Sequence, residues 1–457
     1  MAKDTYMKLL RGLSAVIILA LLVTACVPLG SGGTNTGSTT AGQPGGTPGT
    51  APDTSPLTCP FDILIATQGG TDCQTPRSLR VAYGVESLMQ RGYTGQGQTV
   101  VDIVSYGGPT MQQDIDTFDQ KFGLPPITLK IVAPIGSVPF DANNQEMTGW
   151  KDEANLDVQT IHAIAPGASI VVLTSPVDET EGTAGLPQFL ELEQYALSHH
   201  LGSIISQSFG ASEVSLKDSA GQQQIHQWDT FFQQATTRAA ITFFAASGDN
   251  GATDYIDPNQ TQLSTTPTTS FPPDDPWVTG VGGTSLQRTQ GGGFSETAWN
   301  DSGGASGGGL SAFFPTPSYQ QSLPPSAQQV LNSRRGVPDV AADADPSTAM
   351  AVYTRGQWQL IGGTSAATPM WAAVAAIANQ VARHPLGFLN TALYELAASS
   401  TYARDFHDIT QGDNSVRIHH TFVPGYNTGQ GWDPATGLGS PDAENLVPDL
   451  IAAIGAG

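Results

Sequence analysis

Positive charge is scarce in this 457-residue chain: 18 Lys and Arg stand against 40 Asp and Glu, for a formal net charge of −22, and charged residues make up only 13%. No window clusters Lys and Arg into the basic stripe that phosphate recognition requires, which excludes nucleic acid as a partner. With so little charge, the polar surface must be built from Ser, Thr, Gln, Asn and exposed main chain. Such a surface changes little when carboxylates protonate, so the composition is compatible with work in acid. Cysteine is nearly absent, with three residues. Gly and Pro are plentiful, 52 and 32, which predicts many loops and at least one unstructured stretch. Length suggests up to three domains, but parallel α/β folds of this size often form one unit.

The N-terminus reads as an address. Lys3, Lys8 and Arg11 precede a short apolar run over 13–25 that ends in Val23-Thr24-Ala25-Cys26. The run is too short to span a bilayer, which takes about 20 residues, and its charged start and small-residue end describe an export signal. The ending resembles a bacterial lipobox. That resemblance implies cleavage before Cys26, lipid on its thiol, and a mature protein tethered outside the cell at a membrane surface. From Pro28 to Leu57 the chain is Gly, Thr, Ser, Pro and Ala with almost no charge, too apolar-poor to fold and therefore a flexible tether. Cys59 and Cys73, with thirteen residues between them, are expected to form a disulfide in an oxidising compartment. The resulting division is a signal over 1–25, a tether over 26–57 and a folded domain over 58–457.

Beyond Thr75 short apolar runs alternate with helical stretches. Strands are predicted at 99–104, 169–173, 203–206, 240–245 and 277–281, each nearly continuous in apolar or β-branched residues, as strands buried on both faces are. Helices are predicted at 111–122, 155–163, 186–199, 223–238 and 365–382. The alternation implies one α/β domain with a mainly parallel sheet and helices on both faces. Active sites in such sheets gather beyond the carboxyl ends of the strands.

Three segments carry the chemistry. Gly362-Gly363-Thr364-Ser365-Ala366-Ala367-Thr368-Pro369 puts a Ser after a Gly pair, at the start of an Ala-rich helix. The helix N-terminus offers free N–H groups and positive potential where an oxyanion would develop. A nucleophilic Ser needs a base, yet none of the eight histidines is followed by Gly as in a His-Gly-Thr base motif. The second segment supplies carboxylates instead. Glu153 and Asp157, in Trp150-Lys151-Asp152-Glu153-Ala154-Asn155-Leu156-Asp157, stand four apart and so share one helix face. That face continues into Leu156 and Ile161, and partial burial would force the two carboxyls to share a proton. The third segment is an apolar strand ending in Ser247-Gly248-Asp249. An Asp there donates a hydrogen bond only when protonated, since an ionised carboxylate has no donor.

Together these segments resemble the sedolisins, serine-carboxyl peptidases of subtilisin-like fold. Further matches are Phe271-Pro272-Pro273, Val281-Gly282-Gly283-Thr284, Gly307-Gly308-Gly309-Leu310-Ser311 and Arg335-Gly336-Val337-Pro338-Asp339. The resemblance implies an acid-acting endopeptidase in which Ser365 attacks the peptide carbonyl, Glu153 takes its proton, Asp157 orients and shares that proton, and Asp249 stabilises the oxyanion. A Glu, with an ordinary pKa near 4.3, suits acid conditions in which His would be charged. The resemblance also implies one structural Ca²⁺, held by the side chains of Asp408 and Asp433 and the backbone oxygens of Ile409, Gly429 and Gly431. Oxygen ligands without Cys or His are those Ca²⁺ prefers. Unfolded proteins or peptides are the expected substrates, and the protein is expected to be a monomer. Two alternatives remain open: a tripeptidyl-peptidase of the same family, and a surface lipoprotein that keeps the fold for binding.

The chain departs from the family's pattern in three ways. The stretch from Cys26 to Thr75 leaves no room for the prodomain with which sedolisins are usually made. Ser105 stands where many members carry an acidic residue, and Phe209 where they carry Trp. Both family residues extend the hydrogen-bond network behind the catalytic Glu, so a milder acid preference is expected here.

Overall fold

The computed structural model describes residues 55–67 and 72–456, all within a compact unit that runs from Thr50 to Gly457. The expected export signal, Cys26 and nearly all of the tether lie outside the described residues. Cys59 and Cys73 are joined as a disulfide, with their Cα atoms 5.0 Å apart.

The apolar runs become β1 (Thr99–Ser105), β2 (Lys130–Val132), β3 (Ser169–Ser175), β4 (Ile204–Gln207), β5 (Thr242–Ala246), β6 (Thr279–Arg288), β7 (Phe294–Ala298) and β8 (Val340–Asp343). Between and after them lie α1 (Met111–Phe122), α2 (Gln145–Ile164), α3 (Leu186–Ser198), α4 (Ser219–Ala239) and α5 (Thr364–Ala382). The eight strands form one sheet in the order β8-β6-β5-β4-β1-β3-β2, with β7 added to β6. Every pairing along that path is parallel, and only β7 runs antiparallel. Each predicted strand and helix is present; the helix at 111–122 has its predicted ends and the others are shifted at one end or both. The largest shift is α2, which begins ten residues before the predicted 155. Its N-cap, Asn144, accepts hydrogen bonds from Glu146 N at 2.8 Å and Met147 N at 3.2 Å, and this capping starts the helix despite the polar stretch that follows.

Both faces of the sheet are buried, and the strands show it with a period of two. Val100, Val104, Ile170, Val172 and Phe244 pack with residues of α1, α2 and α5 on one face. Val101, Ile103, Val171, Leu173 and Phe243 pack on the other with Leu186 and Phe189 of α3 and Trp228 and Phe232 of α4. A fully buried side chain of this size stabilises by about 2–3 kcal/mol, so the sheet is a rigid platform. The chain passes from β1 to its neighbours on one side and then to β4 on the other. The crevice at that reversal, beyond the carboxyl ends of β1, β4 and β5, is where such sheets place ligands.

Candidate active site

Glu153 and Asp157 sit one turn apart on α2. Asp157 is fully buried, and Oε1 of Glu153 is shut off from solvent without a hydrogen-bond donor. Burial pushes Glu153 up to about 8; the Ser365 hydroxyl beside it pulls the other way, and the charges of Asp249 and Asp102 add to the rise. Burial likewise holds Asp157 well above the usual carboxylate range, reinforced by the charges of Asp102 and Glu153. The two carboxyls thus behave as a proton-sharing set rather than as two independent acids.

Ser365 is the second residue of α5, half-buried at the helix N-terminus. Gly363, just before the helix, has φ +115°, and a Cβ there would meet Asp249 Oδ2 at 2.5 Å. Only a glycine lets the Asp249 carboxyl come so close to the main chain. Asp249 Oδ1 accepts from Thr364 N at 2.7 Å and from Thr364 Oγ1 at 2.9 Å. Oδ2 remains for the proton that would make this side chain a donor. Burial raises the Asp249 pKa, the two Thr364 donors oppose the rise, and the charge of Asp254 supports it. The turn carrying Asp249 is held from behind: Gly307 N donates to Gly248 O at 2.7 Å and Ser247 Oγ to Gly307 O at 2.7 Å. A Cβ on Gly307 would lie 2.0 Å from Ser247 O, which accounts for the first residue of the Gly307-Gly308-Gly309 run. The Arg335-to-Asp339 segment is structural, a fully buried ion pair at 2.5 Å.

A second group of residues lies in loops near the C-terminus. Asp408 accepts from Gly431 N at 3.1 Å and from the Tyr402 hydroxyl at 2.9 Å. Asp433 accepts from Gly429 N at 3.0 Å and from Ala435 N and Thr436 N, each at 2.9 Å. Among the described residues no cationic side chain pairs with either carboxyl, and burial raises both, Asp433 to about 6. The carbonyls of Ile409, Gly429 and Gly431 accept no hydrogen bond among the described residues. Two unneutralised carboxylates beside three uncommitted carbonyls fit a hard divalent cation. No cluster of three or more Asp, Glu, His or Cys side chains suited to a metal occurs among the described residues, so any cation here must rely on main-chain oxygens.

The model of the subtilase family (peptidase S8) matches residues 140–401, more than half of the chain, with all four candidate catalytic residues inside. The chain belongs to the subtilase family, in its sedolisin branch. Kumamolisin from Bacillus sp. (strain MN-32) is 36% identical over 386 residues, covering 82% of this chain and 63% of kumamolisin. Tripeptidyl-peptidase 1 from Homo sapiens is 33% identical over 318 residues, covering 65% of this chain and 52% of that protein. The chain therefore spans roughly half to three fifths of the length of these curated relatives. The solved structure of Pseudomonas sedolisin, a serine-carboxyl proteinase complexed with two molecules of pseudo-iodotyrostatin, matches with a TM-score of 0.68 and 28% identity, covering 82% of this chain and 97% of that one.

In this sedolisin the site contains side chains that sequence reading missed. Ser208, just past β4, donates to Asp157 Oδ1 at 2.9 Å and reaches Ser365 O at 3.4 Å, bridging α2 and α5. Thr364 anchors Asp249. Asp102, in the middle of β1, meets Asp157 from below. None has a local signature, because each partner is far away in the chain. The departures at Ser105 and Phe209 are also visible. Ser105 donates to Val177 O at 2.8 Å, and Phe209 packs against Phe189 at 4.5 Å between ring centroids and offers no donor. The only histidine on α2, His162, is turned toward Pro125 O at 2.8 Å and Asp119 at 3.2 Å. At 1.5 Å of rise per residue it lies about 13 Å along the helix from Glu153.

Proposed function

We propose that this protein is an acid-acting serine-carboxyl endopeptidase that hydrolyses exported or external unfolded protein. The observation that carries the reading is the buried Glu153–Asp157 pair facing Ser365 at a helix N-terminus, with Asp249 seated on Thr364 beside it. Ser365 Oγ attacks the scissile carbonyl carbon as its proton passes to Glu153, and the carbonyl oxygen becomes an oxyanion. Protonated Asp249 donates to that oxyanion through Oδ2, and the N-terminal N–H groups of α5 add positive potential. Glu153 returns the proton to the leaving amine. It then takes one from water, which attacks the ester on Ser365, and returns that proton to Ser365 Oγ as the acid is released. Asp157, held by Ser208, fixes Glu153 and keeps a proton within the pair.

The reading requires Glu153 ionised and Asp249 protonated at once, which gives a bell-shaped pH profile belonging to the coupled carboxyls. Ca²⁺ held by Asp408, Asp433 and the carbonyls of Ile409, Gly429 and Gly431 would neutralise the two carboxylates and tie the loops together. Lipid on Cys26 would keep the enzyme at the cell surface. Likeness to tripeptidyl-peptidase 1 favours a second reading, release of tripeptides from free N-termini.

The test is cleavage of an unfolded protein from pH 2 to 8 by the parent and its Ser365→Ala and Glu153→Ala variants. An acid-side optimum lost by at least about 10³-fold in both variants is expected. A Ser365→Ala protein as active as the parent would leave only the binding-lipoprotein reading. A peptide with a blocked N-terminus separates the two peptidase readings, since only an endopeptidase cleaves it.

A further inference from the structure

Asp102 is out of place in its strand. β1 reads Thr-Val-Val-Asp-Ile-Val-Ser, and Asp102 at its centre is entirely buried. It sits in register with Val172 of β3 and Ser206 of β4. By the alternation of the strand it lies on the face of Val100 and Val104, the face that α2 and α5 cover. There it meets Asp157.

Neither oxygen of Asp102 has a hydrogen-bond partner among the described residues, and neither does Oδ2 of Asp157 or Oε1 of Glu153. Ser206 Oγ, at the neighbouring register position, is also without one. A buried ionised carboxylate with no donor costs several kcal/mol. Two carboxyls in contact can satisfy each other only if one carries a proton, because an ionised pair has two acceptors and no donor.

Among the described residues no cationic side chain relieves this arrangement. β3, β4 and α5 bring no titratable side chain to Asp102, and from α2 it faces Glu153 and Asp157. The other charged groups of α2 near the site are committed elsewhere, Lys151 to Asp114 at 3.5 Å, Asp152 to Arg355 at 2.7 Å and His162 to Asp119. On the opposite face of the sheet, α3 adds Glu193, itself buried. Asp249 approaches Glu153 from beyond β5.

We propose that Asp102 is a positioning residue for the peptidase reaction: it accepts the proton that Asp157 holds, keeping that neighbour neutral, and its own negative charge beneath the pair sets how readily Glu153, beside Ser365, ionises. The proposal rests on the reading of Glu153 as general base. Burial raises Asp102 to about 7 and the hydrogen bond with Asp157 opposes the rise, as for the accepting partner of a shared proton.

Replacement by Asn keeps the shape and an acceptor oxygen for Asp157 while removing the charge that opposes ionisation of Glu153. The acid limb of kcat/KM should then move to lower pH by about 0.5–1 unit, with kcat at the optimum down about 3- to 10-fold. Asp102→Ala removes the acceptor for the Asp157 proton as well, and kcat should fall about 30-fold or more with KM changed less than about 3-fold. A residue that only fills space would change yield or melting temperature and leave the shape of the pH profile alone.

The experiment is the pH profile of kcat/KM for the parent, Asp102→Asn and Asp102→Ala, normalised to active sites by burst titration so that misfolded protein does not count. If the Asn protein does not fold, Asp102→Thr, also uncharged and hydrogen-bonding, is read in the same way. An acid limb that coincides with the parent's overturns the proposal. Glu153→Gln is run beside them. If it retains activity, the reading of Glu153 as base fails and takes this proposal with it. If it is inactive while the Asp102→Asn limb is unshifted, this proposal alone fails.

Discussion

In the proposed reaction Asp249 is the residue whose chemistry depends most directly on pH. It donates only while protonated, and the two Thr364 donors on Oδ1 leave Oδ2 to do so. An Asn in its place would donate at every pH. Asp249→Asn is therefore expected to lose the alkaline limb of the activity profile and to keep turnover within about tenfold of the parent at the acid optimum. Asp249→Ala should cost about 10²–10³ in kcat, as removal of an oxyanion donor does elsewhere. Rates measured from pH 3 to 9 check both, and an unchanged alkaline limb in the Asn protein would assign that limb to another group. At this scale the sequence was legible wherever chemistry lies in a run of neighbours. Glu153 and Asp157 stand out as candidates by their spacing, Ser365 by its glycines and helix, and Asp249 by the end of its strand, each only once the segments are taken together as a family resemblance. Ser208 and Asp102 do not, since a lone Ser after a strand or a lone Asp within one acquires meaning only from a partner about fifty residues distant.

Among the elements, α2 and α5 carry the site because both pack on the face of the sheet that holds Val100 and Val104. The start of α2 was not legible, because Gly149 and the charged run after it mask the apolar period, while the Asn144 cap that starts the helix shows only as a single residue. The loops that bring Asp408 to Gly431 and Asp433 to Gly429 form the candidate cation site. Asp433 is buried and Asp408 half-buried, with no cationic partner among the described residues, so a bound divalent cation would stabilise the folded state in proportion to its binding. Millimolar Ca²⁺ is expected to raise the melting temperature by several degrees over a chelated sample, and Asp433→Asn should abolish most of that difference. Differential scanning calorimetry of the four samples decides it, and equal melting temperatures with and without Ca²⁺ would remove the ion from the account.

The whole molecule is built for protonation. Asp102, Glu153, Asp157, Glu179, Glu193, Asp274, Asp275 and Asp343 are each raised, with burial as the largest cause. Only the exposed Asp62 and Asp257 are lowered among carboxyls with a resolved shift. A carboxyl whose pKa is raised by folding binds its proton more tightly in the native state than in the unfolded one. Its stabilising contribution is complete below the unfolded value near 4 and is lost as pH rises through the folded value, about 7 for Asp102 and about 8 for Glu153. With calcium chelated so that metal binding does not enter, the melting temperature should be higher at pH 4 than at pH 8 by at least several degrees. A flat or rising curve over that interval would show that these groups are solvated or paired with cations in solution.

The order of strands and helices, the buried character of the sheet and the four candidate catalytic side chains follow from the chain's own periodicity and motifs. Each of these depends on residues within a few positions of one another, where helix and strand geometry is fixed. The partners of those side chains do not. Asp102 below Asp157, Ser208 between α2 and α5, Thr364 under Asp249 and the free carbonyls between Asp408 and Asp433 arise from segments that the parallel sheet brings together across many tens of residues. Burial is what shifts the proton affinities of this site, and burial is a property of the packed sheet and helices that no local stretch of sequence contains.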